Sequence, residues 1–238
     1  MIRDSRAFLI GLVMLISFGV IYAYMMSPSF GNGRNGLDFA DDMFNAISKG
    51  SAAAVVQGEI KKSEKWNGSE IDVTLTCKDE GQAERWANLY KKVDGATIAT
   101  DKEKLFIKAD LGKIFSTLAE DCTAMYDNKG EVLQQKYSID PREATNSWYN
   151  SLKSVTKSLD NKALFAESLA IQNFSKKVIE PAYNYYGVET KYVKDNMGIM
   201  TFMLVFYMVY TLWYGFAIYY LSIGFGITMN KAGKKVEA

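Results

Sequence analysis

Two long stretches without a charged side chain dominate the hydrophobic pattern of this chain. Residues 7–26 read AFLIGLVMLISFGVIYAYMM, and a second uncharged stretch runs from Asn196 to Asn230. Because a helix rises about 1.5 Å per residue, roughly 20 residues cover the hydrocarbon core of a bilayer. The pattern predicts transmembrane helices at 7–26 and 198–227. The second is longer than a span requires, so it is expected to tilt or to extend past the interface.

The residues between these stretches predict a small α+β domain over 37–130. Apolar residues recur at helical spacing in some segments and alternate with polar residues in others. The predicted elements are, in order, a helix (37–50), two strands (53–62 and 69–77), a helix (78–92), two strands (96–100 and 104–110) and a helix (111–127). After the first helix, the order ββαββα predicts a four-stranded antiparallel sheet with helices packed on one side.

Residues 140–190 predict an antiparallel pair of helices, interpreted as a hairpin or stalk. Asp140, Pro141 and Glu143 form a helix start with a cap, a proline in the first turn and an acid three residues after the cap. Apolar residues then repeat along one face of the first helix, and a second helix is predicted over 162–186 with a kink at Pro181. The fold class is therefore an α+β membrane protein in which two transmembrane helices flank an extracytoplasmic domain.

The segment 27–36 contains Gly31, Gly33 and Gly36, which match the GxGxxG pattern of dinucleotide-binding loops. That pattern binds a pyrophosphate only when it joins a buried strand to a helix. Here it follows a predicted membrane span, so the segment is predicted to be a flexible linker. The span before it has a longer apolar core than a cleaved signal peptide and offers a poor cleavage site, which favours an uncleaved signal anchor.

Lysines and arginines beside the spans predict the orientation of the chain. Arg3 and Arg6 precede the first span, and three lysines follow the second within the predicted cytoplasmic tail, 228–238. The positive-inside rule then places both termini in the cytoplasm and residues 27–197 outside, in the periplasm if this is a bacterial inner membrane. Basic residues beside the outer ends of the spans weaken this bias.

The chain holds 28 basic and 27 acidic residues, so no nucleic-acid partner is predicted.

The residue types exclude most catalytic and cofactor chemistry. The chain has no histidine and two cysteines, with no CxxC motif. Histidine-ligated or c-type haem, zinc sites that need histidine or several cysteines, and Ser-His or Cys-His catalysis are therefore excluded. No catalytic residue, metal site or cofactor is predicted, and an enzyme of this composition would have to work with carboxylates alone.

Cys77 and Cys122 are both predicted to point into one core, from a strand and from the helix that covers it. Two interpretations follow. They are buried, inert thiols, or they form a disulfide that closes a loop of 45 residues and adds on the order of 3–4 kcal/mol, which an external location permits.

The second span carries a row of small residues that is typical of close helix packing in lipid. Thr211, Gly215, Ser222 and Gly226 project within about 60° of one another at 100° per residue. The residues around this row include many aromatics, namely Tyr207, Tyr210, Trp213, Tyr214, Tyr219 and Tyr220. The row is predicted to pack against another membrane helix, either from a partner protein, from a second copy or from the first span.

Three classes of function fit this architecture. The favoured one is a non-catalytic accessory or structural subunit of a multi-subunit inner-membrane complex, docking through the second transmembrane helix and the extracytoplasmic domain. The alternative is a membrane-anchored extracytoplasmic sensor or ligand-binding protein, which would need a partner for output because about nine residues follow Met229. The third is an enzyme. The expected partners are integral membrane subunits, further copies of the chain and the lipid bilayer, and no small ligand is identified.

Overall fold

A computed structural model of the chain describes residues 2–227. The cytoplasmic tail predicted over 228–238, with its three lysines, lies outside the described residues. The helices are α1 (Ser5–Met25), α2 (Gly36–Ser63), α3 (Glu80–Tyr90), α4 (Leu111–Tyr126), α5 (Glu131–Tyr137), α6 (Pro141–Asn161), α7 (Phe165–Phe174), α8 (Glu180–Asn184) and α9 (Met197–Gly224). The strands are β1 (Glu70–Thr76), β2 (Thr97–Asp101) and β3 (Lys104–Asp110). Two 3-10 turns, Glu64–Trp66 and Val193–Asp195, and a π-helical turn, Ser175–Ile179, complete the regular structure.

The described chain divides into two compact units. The apolar unit contains residues 2–44 and 192–227, with helices α1 and α9, and the polar unit contains Asn45–Lys191. Helix α2 begins in the first unit and ends in the second. Each unit is described by itself below.

Both helices of the apolar unit are long and apolar enough to cross a membrane. Helix α1 has 21 residues and a mean hydropathy of 2.2 in its most apolar window, and α9 has 28 residues and a value of 1.6. Their bounds lie within three residues of the predicted spans. The start of α1 is fixed by Asp4, whose carboxylate accepts hydrogen bonds from the backbone N–H groups of Arg6 and Ala7, each at 3.0 Å.

The polar unit contains a three-stranded antiparallel sheet with the order β1-β3-β2. Val73 of β1 and Ile98 of β2 both pair with Ile107 of β3. Alternate residues of β1 and β3 are buried and the others are exposed, because one face of the sheet meets the helices and the other meets solvent. The predicted mixture of helices with a small antiparallel sheet is confirmed.

The prediction of a fourth strand at 53–62 is wrong. These residues belong to α2, which continues through Gly50 and Gly58 to Ser63. Three consecutive alanines, 52–54, favour a helix. The buried and half-buried positions, 52, 53, 56, 59, 60 and 63, recur every three to four residues, which is helical rather than strand geometry. An Asn-Gly pair between two strands is a typical hairpin turn, but Asn67 and Gly68 do not form one here, because the residues before them are helical. They join a 3-10 turn to β1, with Gly68 at a φ of +87°.

The helices of residues 140–190 share one core with the sheet, where the sequence predicts a domain followed by a stalk. Trp148, Leu152 and Val155 of α6 and Phe174 of α7 are buried together with β1, β3 and α4. The predicted apolar face of α6 is confirmed, since its repeating residues are all buried. The second helix departs from the prediction, because the π-helical turn Ser175–Ile179 separates α7 from α8 just before Pro181.

Candidate functional site in the apolar unit

Helices α1 and α9 pack closely because glycines leave room for the opposing backbone. A Cβ atom on Gly11 of α1 would stand 2.6 Å from the backbone nitrogen of Leu221 and 3.0 Å from the carbonyl oxygen of Ala217. A Cβ atom on Gly224 would stand 2.6 Å from the Cβ atom of Phe8. The two distances of 2.6 Å are shorter than a real contact of a Cβ atom, so only glycine fits at these two positions.

The interface is extended by hydrogen bonds and aromatic contacts at both ends. The backbone N–H groups of Arg3 and Asp4 donate to the carbonyl oxygen of Gly224, at 2.8 and 3.2 Å. Towards the other end, the ring of Phe18 stacks on that of Tyr210 with centroids 4.2 Å apart and an interplanar angle of 20°. These contacts hold α1 along much of one face of α9.

The predicted row of small residues lies on another face of α9. At 100° per residue, the mean direction of Thr211, Gly215 and Ser222 is about 130° from the mean direction of Ala217, Leu221 and Gly224, the residues that meet α1. Thr211 and Gly215 are exposed, and a Cβ atom on Gly215 would have no heavy atom within 4 Å. Within residues 2–227, α1 therefore does not pack against this row.

The hydroxyl groups of the row are satisfied within α9 itself. Thr211 donates to the carbonyl oxygen of Tyr207 at 2.8 Å, and Ser222 donates to that of Ile218 at 2.9 Å. A shallow notch of about 300 Å³ lies beside Gly215. Thr211, Gly215 and Ser222, named here the small-residue face, thus present a low-relief surface without unsatisfied donors, which suits close contact with another helix in lipid.

Gly226 does not belong to this face, which corrects the predicted row. Helix α9 ends at Gly224, and Gly226 has a φ of +76°. Its N–H donates to the carbonyl oxygen of Ile223, and the N–H of Ile227 donates to that of Ser222, which is the Schellman arrangement that ends a helix. The helical spacing that placed Gly226 in the row does not continue past the end of the helix.

The aromatic residues of α9 divide between the α1 contact and the exposed surface. Tyr210 and Tyr214 contact Phe18, with ring centroids 4.2 and 5.1 Å away, whereas Tyr207 and Tyr219 are 70% and 46% exposed. Among the described residues, the buried hydroxyl oxygen of Tyr210 has no hydrogen-bond partner. Exposed aromatic rings on an apolar helix suit contact with lipid or with further helices.

Cys77 and Cys122 both lie in the core of the polar unit. They are free thiols in the structure, 5% and 2% exposed, and belong to the same hydrophobic cluster. Burial, followed by the negative charge of Asp121, raises the pKa of the Cys122 thiol, and burial raises that of Cys77. Both effects keep the thiols protonated and therefore unreactive.

Labelling with a maleimide distinguishes the two states of this cysteine pair. The folded chain, purified without reductant, is expected to take up no maleimide at pH 7.5, because both thiols are buried and protonated. The same sample unfolded in guanidinium is expected to take up two, as counted by intact mass. Labelling that appears only after reduction would show a disulfide and contradict the free thiols of the structure.

A buried lysine, which the sequence pattern did not indicate, connects the beginning and the end of the polar unit. Lys49 of α2 is 1% exposed, and its ammonium group donates to the carbonyl oxygens of Val188 at 2.7 Å and Tyr185 at 3.2 Å. It also donates to Oδ1 of Asn128 at 3.2 Å. Burial lowers the pKa of Lys49 from its usual value, against the opposing effect of Asp127.

Lys49, Asn128 and the segment 185–188 form one hydrogen-bonded group, named here the Lys49 junction. Oδ1 of Asn128 also accepts from the N–H of Gly187 at 2.7 Å, and Nδ2 of the same side chain donates to the carbonyl oxygen of Val188 at 3.0 Å. In the sequence, Lys49 follows Ala46 and Ile47 by three and two positions, and no spacing pattern links it to its partners. Its partners lie 79 to 139 residues away, so spacing along the chain did not reveal them.

A second buried polar cluster links α4, α5 and α6. The carboxylate of Asp121 accepts from Nζ of Lys136 at 2.7 Å and from the hydroxyl of Tyr137 at 2.5 Å. The indole N–H of Trp148 donates to the hydroxyl of Tyr137 at 3.3 Å. The burial and hydrogen bonding of this cluster are those of a structural network.

Comparison with known proteins gives no relative from which a role can be transferred. No protein-family model matches the chain, and no curated protein and no solved structure shows significant similarity to it. Within residues 2–227, no group of three or more Cys, Asp or Glu side chains is placed to hold a metal ion. Any assignment of function therefore rests on the surfaces described above.

Proposed function

We propose that this protein is a non-catalytic accessory subunit of a multi-subunit membrane complex. It docks through the small-residue face of α9 and through its polar unit. In this proposal α1 and α9 span a bacterial inner membrane, both termini are cytoplasmic, and residues 27–197 are periplasmic. The observation that carries the proposal is the separation of two faces on α9, one closed by α1 and the other uncovered.

The exposure of the two apolar helices supports the membrane setting. The core helix of a water-soluble protein is mostly buried, whereas 6% of the most apolar window of α1 and none of that of α9 is buried. Exposing this much apolar surface of a monomer to water would be energetically unfavourable. A bilayer removes that cost, and a partner helix adds packing that lipid chains cannot match against a flat, small-residue surface.

A gentle-detergent purification with matched glycine variants tests the proposal. The tagged full-length chain is expected to purify with stoichiometric membrane partners, identified by mass spectrometry. Gly215→Leu should release them, because a leucine there fills the small-residue face while meeting nothing in the chain itself. Gly198→Leu is the control, since Gly198 lies on α9 outside this face and also has no atom near its Cβ position.

Three results are informative. Loss of the partners with Gly215→Leu but not with Gly198→Leu supports the proposal. Partners that remain bound in both variants contradict docking through the small-residue face. A clean homo-oligomer without other proteins contradicts the subunit proposal and favours the membrane-anchored sensor or ligand-binding protein.

A further inference from the structure

The polar unit carries a surface groove whose floor is apolar and whose rim is basic. It lies between the C-terminal end of α2, the turn Glu64–Trp66 and helix α7, and has a volume of about 450 Å³. The rings of Phe115 and Phe174 stack beneath it with centroids 4.6 Å apart, and Leu169 lines it while remaining 57% exposed. Leu169 and the neighbouring Ala166 are thus exposed apolar side chains in a concave surface, which is typical of a binding site.

The charges around this groove are unbalanced. Four lysines (Lys61, Lys62, Lys65 and Lys177) and one glutamate, Glu59, line it, which gives a net charge of three positive. Glu59 already pairs with Lys177 at 3.1 Å and with Lys62 at 4.0 Å. Among the described residues, Lys61 and Lys65 have no carboxylate partner within salt-bridge distance, so the rim retains unneutralised positive charge.

A rare backbone feature helps to build the groove. The turn Ser175–Ile179 is π-helical, a conformation that accounts for well under 1% of residues and occurs often at functional sites. Lys177 lies at the centre of this turn, and its ammonium group reaches Glu59 across the groove. The helical irregularity therefore lies at the charged wall of the groove.

We propose that this groove binds an anionic amphiphile, a molecule with a phosphate or carboxylate head and an apolar body. The head lies among the lysines of the rim, and the body covers the exposed side chain of Leu169 above the buried rings of Phe115 and Phe174. An inorganic anion would leave Leu169 exposed, and a neutral apolar molecule would leave the lysines unneutralised. The volume of the groove is within the range of about 300–1,000 Å³ that is usual for small-ligand sites. The proposal is independent of the subunit function.

Trp66 lines the groove and supplies a local reporter. The full-length chain is labelled with 5-fluorotryptophan in phosphatidylcholine nanodiscs, and the Trp66 signal is assigned with Trp66→Phe. Octyl phosphate is expected to shift this ¹⁹F signal saturably. Octyl glucoside, which has the same tail and a neutral head, and inorganic phosphate, which lacks the tail, are not expected to shift it over the same concentration range.

Charge reversal tests the role of the rim. Lys61→Glu with Lys65→Glu is expected to weaken octyl phosphate binding at least about tenfold in Kd, because the net charge of the groove becomes negative. The matched control is Lys153→Glu with Lys157→Glu, two exposed lysines at the same spacing on α6, outside the groove. The signals of the buried Trp86 and Trp148 report whether each variant is folded.

Substitution of the floor gives a second, independent variant. Leu169→Ser is expected to weaken binding, whereas Phe165→Ser, at an exposed position of α7 that does not line the groove, is expected to leave it unchanged. An equal shift with octyl glucoside, saturation by inorganic phosphate alone, or an unchanged Kd in the Lys61/Lys65 and Leu169 variants would overturn the proposal.

The source of the amphiphile is distinguished by the lipid of the nanodisc. If discs of phosphatidylglycerol move the Trp66 signal to its bound position without octyl phosphate, the bilayer supplies the ligand through its anionic lipids. If the signal moves only when octyl phosphate is added, the groove takes a freely diffusing amphiphile. Both results support an anionic amphiphile site.

Discussion

Gly11→Leu is expected to separate α1 from α9. The new side chain would begin at a Cβ position only 2.6 Å from the backbone nitrogen of Leu221, and a backbone atom cannot move aside as a flexible side chain can. Overpacking of this kind costs about 1–3 kcal/mol, which is enough to change the ratio of packed to separated helices by about fivefold or more.

Cysteine cross-linking between the two helices measures this separation. Phe8 and Phe225, whose rings lie 5.3 Å apart near the ends of the two helices, are replaced by cysteines and joined with a short bis-maleimide in membranes. The native cysteines do not interfere, because both are buried. The yield is expected to fall at least about fivefold with Gly11→Leu. Gly19→Leu is the control, since nothing lies within 4 Å of its Cβ position. An equal yield in the two variants would contradict the described packing.

Asn128→Ala is expected to lower the free energy of unfolding by about 2–3 kcal/mol. The change removes the Oδ1 acceptor shared by Lys49 and Gly187 and the donor to Val188. It leaves the buried ammonium group of Lys49 with fewer acceptors. It also places an alanine at a φ of +61°, a conformation that asparagine and glycine adopt more readily.

Asn128→Gly separates the two contributions. Glycine loses the same side-chain hydrogen bonds but accepts the positive φ, so its free energy of unfolding is expected to exceed that of the alanine variant by about 1 kcal/mol. The measurement is urea unfolding of the full chain in mild detergent, followed by tryptophan fluorescence. Variants that both differ from the wild type by less than about 0.5 kcal/mol would show that the Lys49 junction does not stabilise the fold.

The sequence was informative where one local pattern had one structural meaning. Strict alternation identified β1, and the 3.6-residue period identified the buried faces of α4 and α6. Residues 53–62 were misassigned because a short apolar run is compatible with either a strand or a helix. The spacing of three to four residues between buried positions, together with the favourable helix propensity of alanine, decides for the helix, and only the folded chain supplies that burial pattern.

For the candidate site as well, the sequence predicted what local helical spacing determines and not what depends on contacts between distant segments. Helical spacing identified Thr211, Gly215 and Ser222 as one face, but it could not tell that α9 ends before Gly226. Spacing also could not identify Gly11 and Gly224 as the residues that meet across the α1–α9 interface, because their fit depends on the opposing helix. Lys49 was missed for the same reason, since its acceptors come from segments distant in the chain.

Photo-cross-linking in native membranes tests the central claim that α9 presents a free face to a partner protein. Benzoylphenylalanine is placed at Thr211 and at Gly215, and, as a control, at Val209, which is 49% exposed and points about 140° away from the small-residue face. We predict cross-links to a different protein from Thr211 and Gly215 and few or none from Val209. Equal cross-linking at all three positions, or none from the small-residue face, would contradict the claim.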